Sequence, residues 1–286
     1  MNYSIIIPYC DTPDVLTRAV QSVPCRPDIE VLVVDNGREP LDKSFFKERQ
    51  NVKILYSPHG KGAGRARNVG LAKATGKWLL LLDADDCFTN DAFEHLDKQL
   101  SATEDIVFFK FTSSTSNENH KVGRHFELNT AIEQYAKTHN DNILRYNWPS
   151  PCGKMVRMQL IADHEIRFEE THAANDVMFS LLTGYYAKNV KAVDATIYCV
   201  TTRDGSLTTT SSLQNLTDRI EVSARYNKFV RSHHLARYQK SIMYYIYTAR
   251  KQHGLMASIR LLCHSIAIGN NPFVGITHWI TTYKKQ

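Results

Sequence analysis

The chain has 286 residues, 43% of them hydrophobic, and a formal net charge of +6. That is apolar material enough for one large core or two modest ones, which excludes a disordered or collagen-like chain. Six cysteines lie scattered without a Cys-x-x-Cys pair, which argues against a zinc site or a disulfide framework and fits a reducing cytoplasm.

No basic stretch leading into an apolar core opens the sequence, so no secretory leader is expected. Nor does any run reach the roughly 18 uninterrupted apolar residues of a membrane span, because Arg260 and His264 break the best candidate at 255–268. The charge is unevenly placed. From Thr217 onward eleven Lys and Arg face only Asp218 and Glu221, which leaves the rest of the chain net acidic. Such a tail suits an anionic partner, whether membrane surface, phosphorylated acceptor or nucleic acid, and equally suits solvated helix faces.

In chain order, Tyr3 to Pro8 is a β-branched run ended by proline, and Asp11-Thr12-Pro13 starts a helix with Val15, Leu16, Ala19, Val20 and Val23 on one face. Ile29–Val34 and Val52–Tyr56 read as further strands, the first closed by Asp35-Asn36-Gly37. A Gly- and Arg-rich segment, 60–68, leads into a helix closed by Gly76. Leu79 to Leu82 then form a short strand, and it runs straight into Asp83-Ala84-Asp85-Asp86. Asn90 caps a helix carrying Phe93, Leu96 and Leu100, and Ile106–Thr112 returns to strand character. Strands alternating with helices predict an α/β, doubly wound, mainly parallel sheet.

The segment 113–120 turns polar and predicts a loop, and 148–154 is too rich in Pro and Gly for regular structure. A helix is expected over Ala174–Leu182 with Asp176 near its start, a strand over Val190–Val200, a loop over Thr201–Ser212, and helices from Leu213 onward. The organisation predicted is 1–112, 113–212 and a basic helical extension at 213–286.

Three predicted strand ends, at Pro8 to Asp11, Asp35-Asn36 and Asp83 to Asp86, present polar residues to one edge of the sheet, where open α/β sheets bind ligands. Crowded carboxylates repel unless a cation neutralises them, and all-oxygen donors suit Mg²⁺ or Mn²⁺. Taken alone, the Asp cluster reads as a solvated turn, and the Gly/Arg segment, which is neither a Walker loop nor Gly-x-Gly-x-x-Gly after the first strand, reads as a flexible connection. A helix N-terminus after that segment favours phosphate.

In order and spacing, Ser4-Ile5-Ile6-Ile7-Pro8-Tyr9, Val33-Val34-Asp35-Asn36-Gly37, Gly64-Arg65-Ala66-Arg67-Asn68-Val69-Gly70 and Leu81-Leu82-Asp83-Ala84-Asp85-Asp86 together resemble the inverting family 2 glycosyltransferases. The resemblance implies a GT-A, Rossmann-like fold with a mixed sheet. It implies that Pro8, Tyr9, Asp35 and Asn36 lie against the base, that Arg67 holds the nucleotide or diphosphate, and that Asp83 and Ala84 meet the nucleoside. Asp85 would bind Mn²⁺ or Mg²⁺, with Asp86 serving metal or sugar. Asn36 stands where the family usually carries a second Asp, and Asn still accepts a hydrogen bond from a uracil-type N–H.

Further along, Phe168-Glu169 followed by Asn175-Asp176-Val177 resembles the family's Glu-Asp motif, which assigns Asp176 as general base, with Asn175 in place of the usual Glu. Without the resemblance, Asp176 reads as an acid favoured by a helix dipole. Tyr198 and Arg203-Asp204-Gly205 resemble the loop whose basic residue, here Arg203, closes over the diphosphate. Trp148 and Gly153-Lys154-Met155 resemble the acceptor side. The implied activity is metal-assisted, inverting transfer of one sugar from a UDP-sugar to a glycan or lipid-linked acceptor in surface polysaccharide synthesis, such as a capsule. It would take place in the cytoplasm or at the inner face of an anionic membrane touched by the basic tail, with no nucleic acid involved. A nucleotidyltransferase and a non-catalytic sugar-nucleotide or nucleic-acid binder stand as alternatives.

Overall fold

A computed structural model describes residues 1–60, 62–115, 125–202 and 212–274. The chain divides into two compact units, one of Met1–Glu170 with Phe179–Asp204 and the other of Thr171–Met178 with Gly205–Gln286.

The first unit is built on β1 (Tyr3–Tyr9), α1 (Pro13–Gln21), β2 (Ile29–Asp35), β3 (Val52–Tyr56), α2 (Gly62–Leu71), β4 (Trp78–Leu81), β5 (Cys87–Phe88), α3 (Ala92–Asp97) and β6 (Ile106–Thr115). After these come α4 (His125–Thr138), α5 (Asn142–Tyr146), β7 (Lys154–Arg157), α6 (Met158–Asp163), α7 (Val177–Tyr186), which begins in the other unit, and β8 (Val190–Thr202). One eight-stranded sheet runs in the order β3-β2-β1-β4-β7-β6-β8-β5. The first four strands are mutually parallel, whereas β7 runs antiparallel between β4 and β6. The sheet is therefore mixed, as the resemblance implied.

Strands β1, β2 and β4 are apolar along almost their whole length because both faces are covered, and every residue of β2 and β4 is buried. Gly70 of α2 shows how close that cover lies, since a Cβ there would stand 2.6 Å from Ile6 Cγ2, so only glycine lets the helix approach β1. The strand order reverses between β1 and β4. Their carboxyl ends, with that of β2, form the crevice in which doubly wound sheets bind ligands.

Three expectations need correction. The polar stretch after Thr112 stays in the sheet to Thr115, because the backbone of β6 continues its parallel ladder with β8, pairing Ser113 with Val200 and Ser114 with Thr201. Lys154, expected in a loop, opens β7 and is only 2% exposed. The helix expected from Ala174 starts at Val177, because Ala174 takes a left-handed φ of 59° that no helix continues through.

The second unit holds α8 (Leu213–Ser232), α9 (Met243–His253) and α10 (Leu255–Ala267). Ser212 caps α8 by accepting from the Asn215 amide. Leu216, Ile220, Ile242, Ile246, Ala249 and Leu261 make its small core. Among the described residues no helix is long and apolar enough to cross a membrane.

Candidate active site

The crevice begins with Asp35, at the end of β2 and 2% exposed. Its two carboxylate oxygens accept from the amides of Gly37 (2.8 Å) and Leu41 (2.7 Å), so the side chain holds the loop that leaves the strand. Asn36 is buried beside it, its amide donating to the Tyr9 carbonyl at 3.0 Å and its own carbonyl meeting His59 Nδ1 at 3.1 Å. Asp11, at a left-handed φ of 53°, turns its carboxylate onto the same loop and accepts from the Arg38 amide at 2.9 Å. Gly37 leaves room for that carboxylate, since a Cβ would lie 2.5 Å from Asp11 Oδ1 and force it to shift. At the end of β1, Pro8 is half-buried and Tyr9 only 4% exposed.

On the other side, α2 delivers Arg67. Its guanidinium, 7% exposed, donates to Asp83 Oδ1 at 2.6 Å and lies over the Phe168 ring at 5.3 Å. Burying a charge is costly unless it is paired, and here a carboxylate and an aromatic face supply the compensation. Asn68 fixes the segment that carries this ring by holding the Phe168 backbone at both its N–H and its carbonyl, each at 2.9 Å. Asp83 keeps 41% of its side chain exposed, so the pair presents its carboxylate at the crevice with the nearly buried guanidinium behind it.

The three acids after β4 have separate fates. Asp86 is 7% exposed and anchors the turn to β8, accepting from the Tyr198 hydroxyl and the Thr201 amide, each at 2.8 Å. Burial, with the charges of Asp83 and Asp85, pushes its carboxyl up to about 7 against those two hydrogen bonds. The Tyr198 hydroxyl also accepts from the Asp83 amide at 3.1 Å, so one buried phenol joins two members of the turn. Arg18 of α1 ties the same junction, donating to the Asp85 carbonyl and to Thr201 Oγ1 at 2.8 Å. Ala84 is half-buried and Asp85 is exposed.

Among the described residues no three His, Cys, Asp or Glu side chains group so as to hold a metal unaided. One exposed carboxylate still fits Mg²⁺ or Mn²⁺, which are usually held by one or two carboxylates with phosphate oxygens and water completing the shell.

Two residues expected on the acceptor side are core. Trp148 is 2% exposed, packs on Phe108 and Phe111, and donates its indole N–H to the Cys152 carbonyl, so it has no face to offer a sugar. Lys154 is buried with its ammonium 3.4 Å from Ser180 Oγ and over the Phe108 ring. Arg203 lies outside the described residues.

Asp176 and Asn175 belong to the second unit, in a turn at 171–176. Asp218 of α8, 5% exposed, grips that turn by accepting from the amides of His172 (2.8 Å) and Ala173 (3.3 Å) through Oδ2, while Gln214 donates to Oδ1 at 2.8 Å. Asn175 is buried and Asp176 half-buried. Lys240 stands over the Tyr226 ring at 4.4 Å; burial pulls its ammonium down to about 8, and the charge of Asp176 opposes that fall. Neither Asp218 nor Tyr198 carries a sequence signal for these roles, since each acts on residues more than forty positions away.

A doubly wound sheet with a cation and acids at its switch point has the arrangement in which open α/β sheets bind their ligands. The model for glycosyl transferase family 2 matches residues 4–164, more than half of the chain, and the protein belongs to that family. Among curated relatives, the uncharacterised glycosyltransferase EpsJ of Bacillus subtilis is 25% identical over 72% of this chain and 62% of its own length. The poly(ribitol-phosphate) β-N-acetylglucosaminyltransferase TarS of Staphylococcus aureus is 25% identical over 72% of this chain and 36% of its own. The chain thus spans under two thirds of both. Among solved structures, TarS 1–349 with UDP-GlcNAc superposes with a TM-score of 0.62 at 21% identity, covering 78% of this chain and 66% of that one. The mannosyltransferase PcManGT of Pyrobaculum calidifontis, with GDP-Man and Mn²⁺, gives 0.58 at 14%, covering 100% and 81%. These similarities establish the GT-A fold.

Proposed function

We propose that this glycosyltransferase moves one sugar, with inversion, from a UDP-sugar to a glycan or lipid-linked acceptor in surface polysaccharide synthesis. The reading is carried by the Arg67–Asp83 pair at the switch point, where a guanidinium suits the donor's phosphates and a carboxylate suits the ribose hydroxyls. The TarS complex with UDP-GlcNAc supports a uridine donor. The loop held by Asp35 and Asn36 forms the base side of the crevice, together with Pro8 and Tyr9.

The acceptor hydroxyl attacks the anomeric carbon, the bond from that carbon to the donor's phosphate oxygen breaks, and the electron pair leaves with the nucleoside diphosphate. Asp176 takes the hydroxyl proton. Positive charge develops on the sugar ring as in other glycosyl transfers. Asp85, with the donor's own phosphate oxygens, would hold Mn²⁺ or Mg²⁺, which when bound supplies charge to stabilise the departing diphosphate. Arg203 supplies that diphosphate with a second cation. The location is cytoplasmic, consistent with the unpaired Cys thiols.

The test is a thermal-shift and UDP- or GDP-release panel with UDP-GlcNAc, UDP-Glc, GDP-Man and the parent diphosphates, each with and without Mn²⁺. UDP ligands should raise the melting temperature, Arg67→Ala should lose most of that rise, and Asp176→Asn should keep it while losing turnover. No shift with any uridine ligand, or full turnover by Asp176→Asn, overturns the corresponding part of the reading.

A further inference from the structure

Helix α10 is turned inside out. Its buried residues are Ser258, Leu261 and Ser265, two of them hydroxyls, whereas its exposed side carries Leu255 (54% exposed), Met256 (69%), Ile259 (43%) and Ile266 (57%). At about 100° per residue, Leu255, Ile259 and Ile266 fall within about 40° of one another, and exposed Cys263 and Met256 lie within the next 60° or so. A helix packed only for its own unit would show the reverse arrangement. Contiguous apolar surface of this kind marks a partner.

The surroundings say which partner. No Asp or Glu occurs anywhere after Glu221, and Glu221 is itself engaged by His264 of α10 at 2.9 Å. Exposed Arg250 and Lys251 close α9 a few residues before the helix, exposed Arg260 lies about 40° beyond Met256 on the helix itself, and exposed Phe273 follows it. An apolar stripe edged by cations without acids matches an anionic bilayer, whose acyl boundary takes the apolar side chains and whose headgroups take the cations. A second copy is a poor match, because pairing two such faces would bring like charges together.

We infer that the outward face of α10 is a docking surface for an anionic lipid bilayer, with Leu255, Met256, Ile259 and Ile266 entering the headgroup boundary. The inference does not depend on the identity of the donor. It places the enzyme beside a lipid-linked acceptor, and it replaces a general electrostatic attraction of the basic tail with a particular insertion face.

The full chain is sedimented with phosphatidylcholine vesicles and with mixed phosphatidylglycerol–phosphatidylcholine vesicles, at low and high salt. Binding should favour the anionic vesicles at least tenfold, and high salt should weaken it without abolishing it, since the apolar part is not screened. The double variant Met256→Glu/Ile266→Glu should lose at least tenfold in partitioning, while its melting temperature and its shift with UDP stay unchanged, because both sites are already exposed. Lys251→Gln/Arg260→Gln should lose the preference for anionic lipid and keep part of the salt-resistant binding. The inference is overturned if the wild type ignores phosphatidylglycerol vesicles, or if the glutamate pair binds them normally. It is also overturned if the wild type is a dimer that the glutamate pair makes monomeric while vesicle binding is absent, which assigns the face to a second copy.

Discussion

Replacing Asp218 by Ala tests how the turn bearing Asp176 is held. The carboxylate accepts from two successive backbone amides, His172 and Ala173, and from Gln214, all from a site only 5% exposed. With alanine the Ala173 amide, on a residue 6% exposed, stays buried without its acceptor, a loss of about 1–3 kcal/mol. Ala174 next to it sits at φ 59°, a conformation that costs a non-glycine residue about 1–2 kcal/mol and persists only while its surroundings impose it. Freed of the grip, the turn can relieve that strain, so its closed form should weaken by about 2–4 kcal/mol, or roughly 30- to 1,000-fold in population. Hydrogen exchange of the amides at 171–177 should accelerate accordingly. At about 2–4 °C per kcal/mol for a chain of this size, the melting temperature should fall by roughly 4–16 °C. Asp218→Asn, which keeps an acceptor oxygen, should lose about half as much. Turnover, counted per UDP-binding site so that unfolded protein does not contribute, should drop with the closed population while UDP affinity holds. A variant with unchanged exchange at 172 and 173 would refute the grip. Normal turnover per site in the presence of faster exchange would refute its link to Asp176.

Tyr198→Phe removes the hydroxyl that joins Asp86 to the Asp83 amide, so two buried polar groups lose a partner and the fold should weaken by about 1–3 kcal/mol, read from the urea midpoint. UDP affinity should fall several-fold as well, because the turn bearing Asp83 loosens. Acid sensitivity should come in part from Asp28, whose carboxyl the Arg26 guanidinium holds down at about 2 against an ordinary 3.8. A carboxyl depressed in the folded state stabilises it fully above the unfolded value and loses that contribution as the pH falls from about 4 to about 2. The pair is about a third exposed, so the loss should be nearer 1 kcal/mol than the full shift would give. Urea midpoints measured across that window should fall less steeply in Arg26→Ala than in the wild type.

The local features of this protein are legible in its sequence alone. Apolar runs at Tyr3, Ile29, Val52 and Leu79, separated by helical periodicity, determine a parallel sheet, and polar residues at the ends of three of them determine where its ligand edge lies. Both follow from backbone periodicity and from the reluctance of carboxylates to be buried, which act within a few residues. The four ordered motifs pointed to the family, and the family model agrees. The local turn signals misled at 113–115 and at Lys154, because the ladders that keep these residues in strands come from β8 and from β4 and β6, whereas 148–153 is irregular as expected.

The tertiary structure decided the rest. Asp83, Asp85 and Asp86 are alike in sequence, and only the arrival of Arg67 and of Tyr198 with Thr201 makes one a paired carboxylate and one a buried anchor, leaving Asp85 exposed. Trp148 has the composition of a sugar platform, but packing put it in the core. Asp218 gives no hint in its neighbours that it grips a turn forty-five residues upstream. The apolar stripe of α10 is visible as a period, but a period carries no direction. Which side faces out depends on whether Ser258 and Ser265 or Ile259 and Ile266 meet α8 and α9, and that depends on contacts made across the fold.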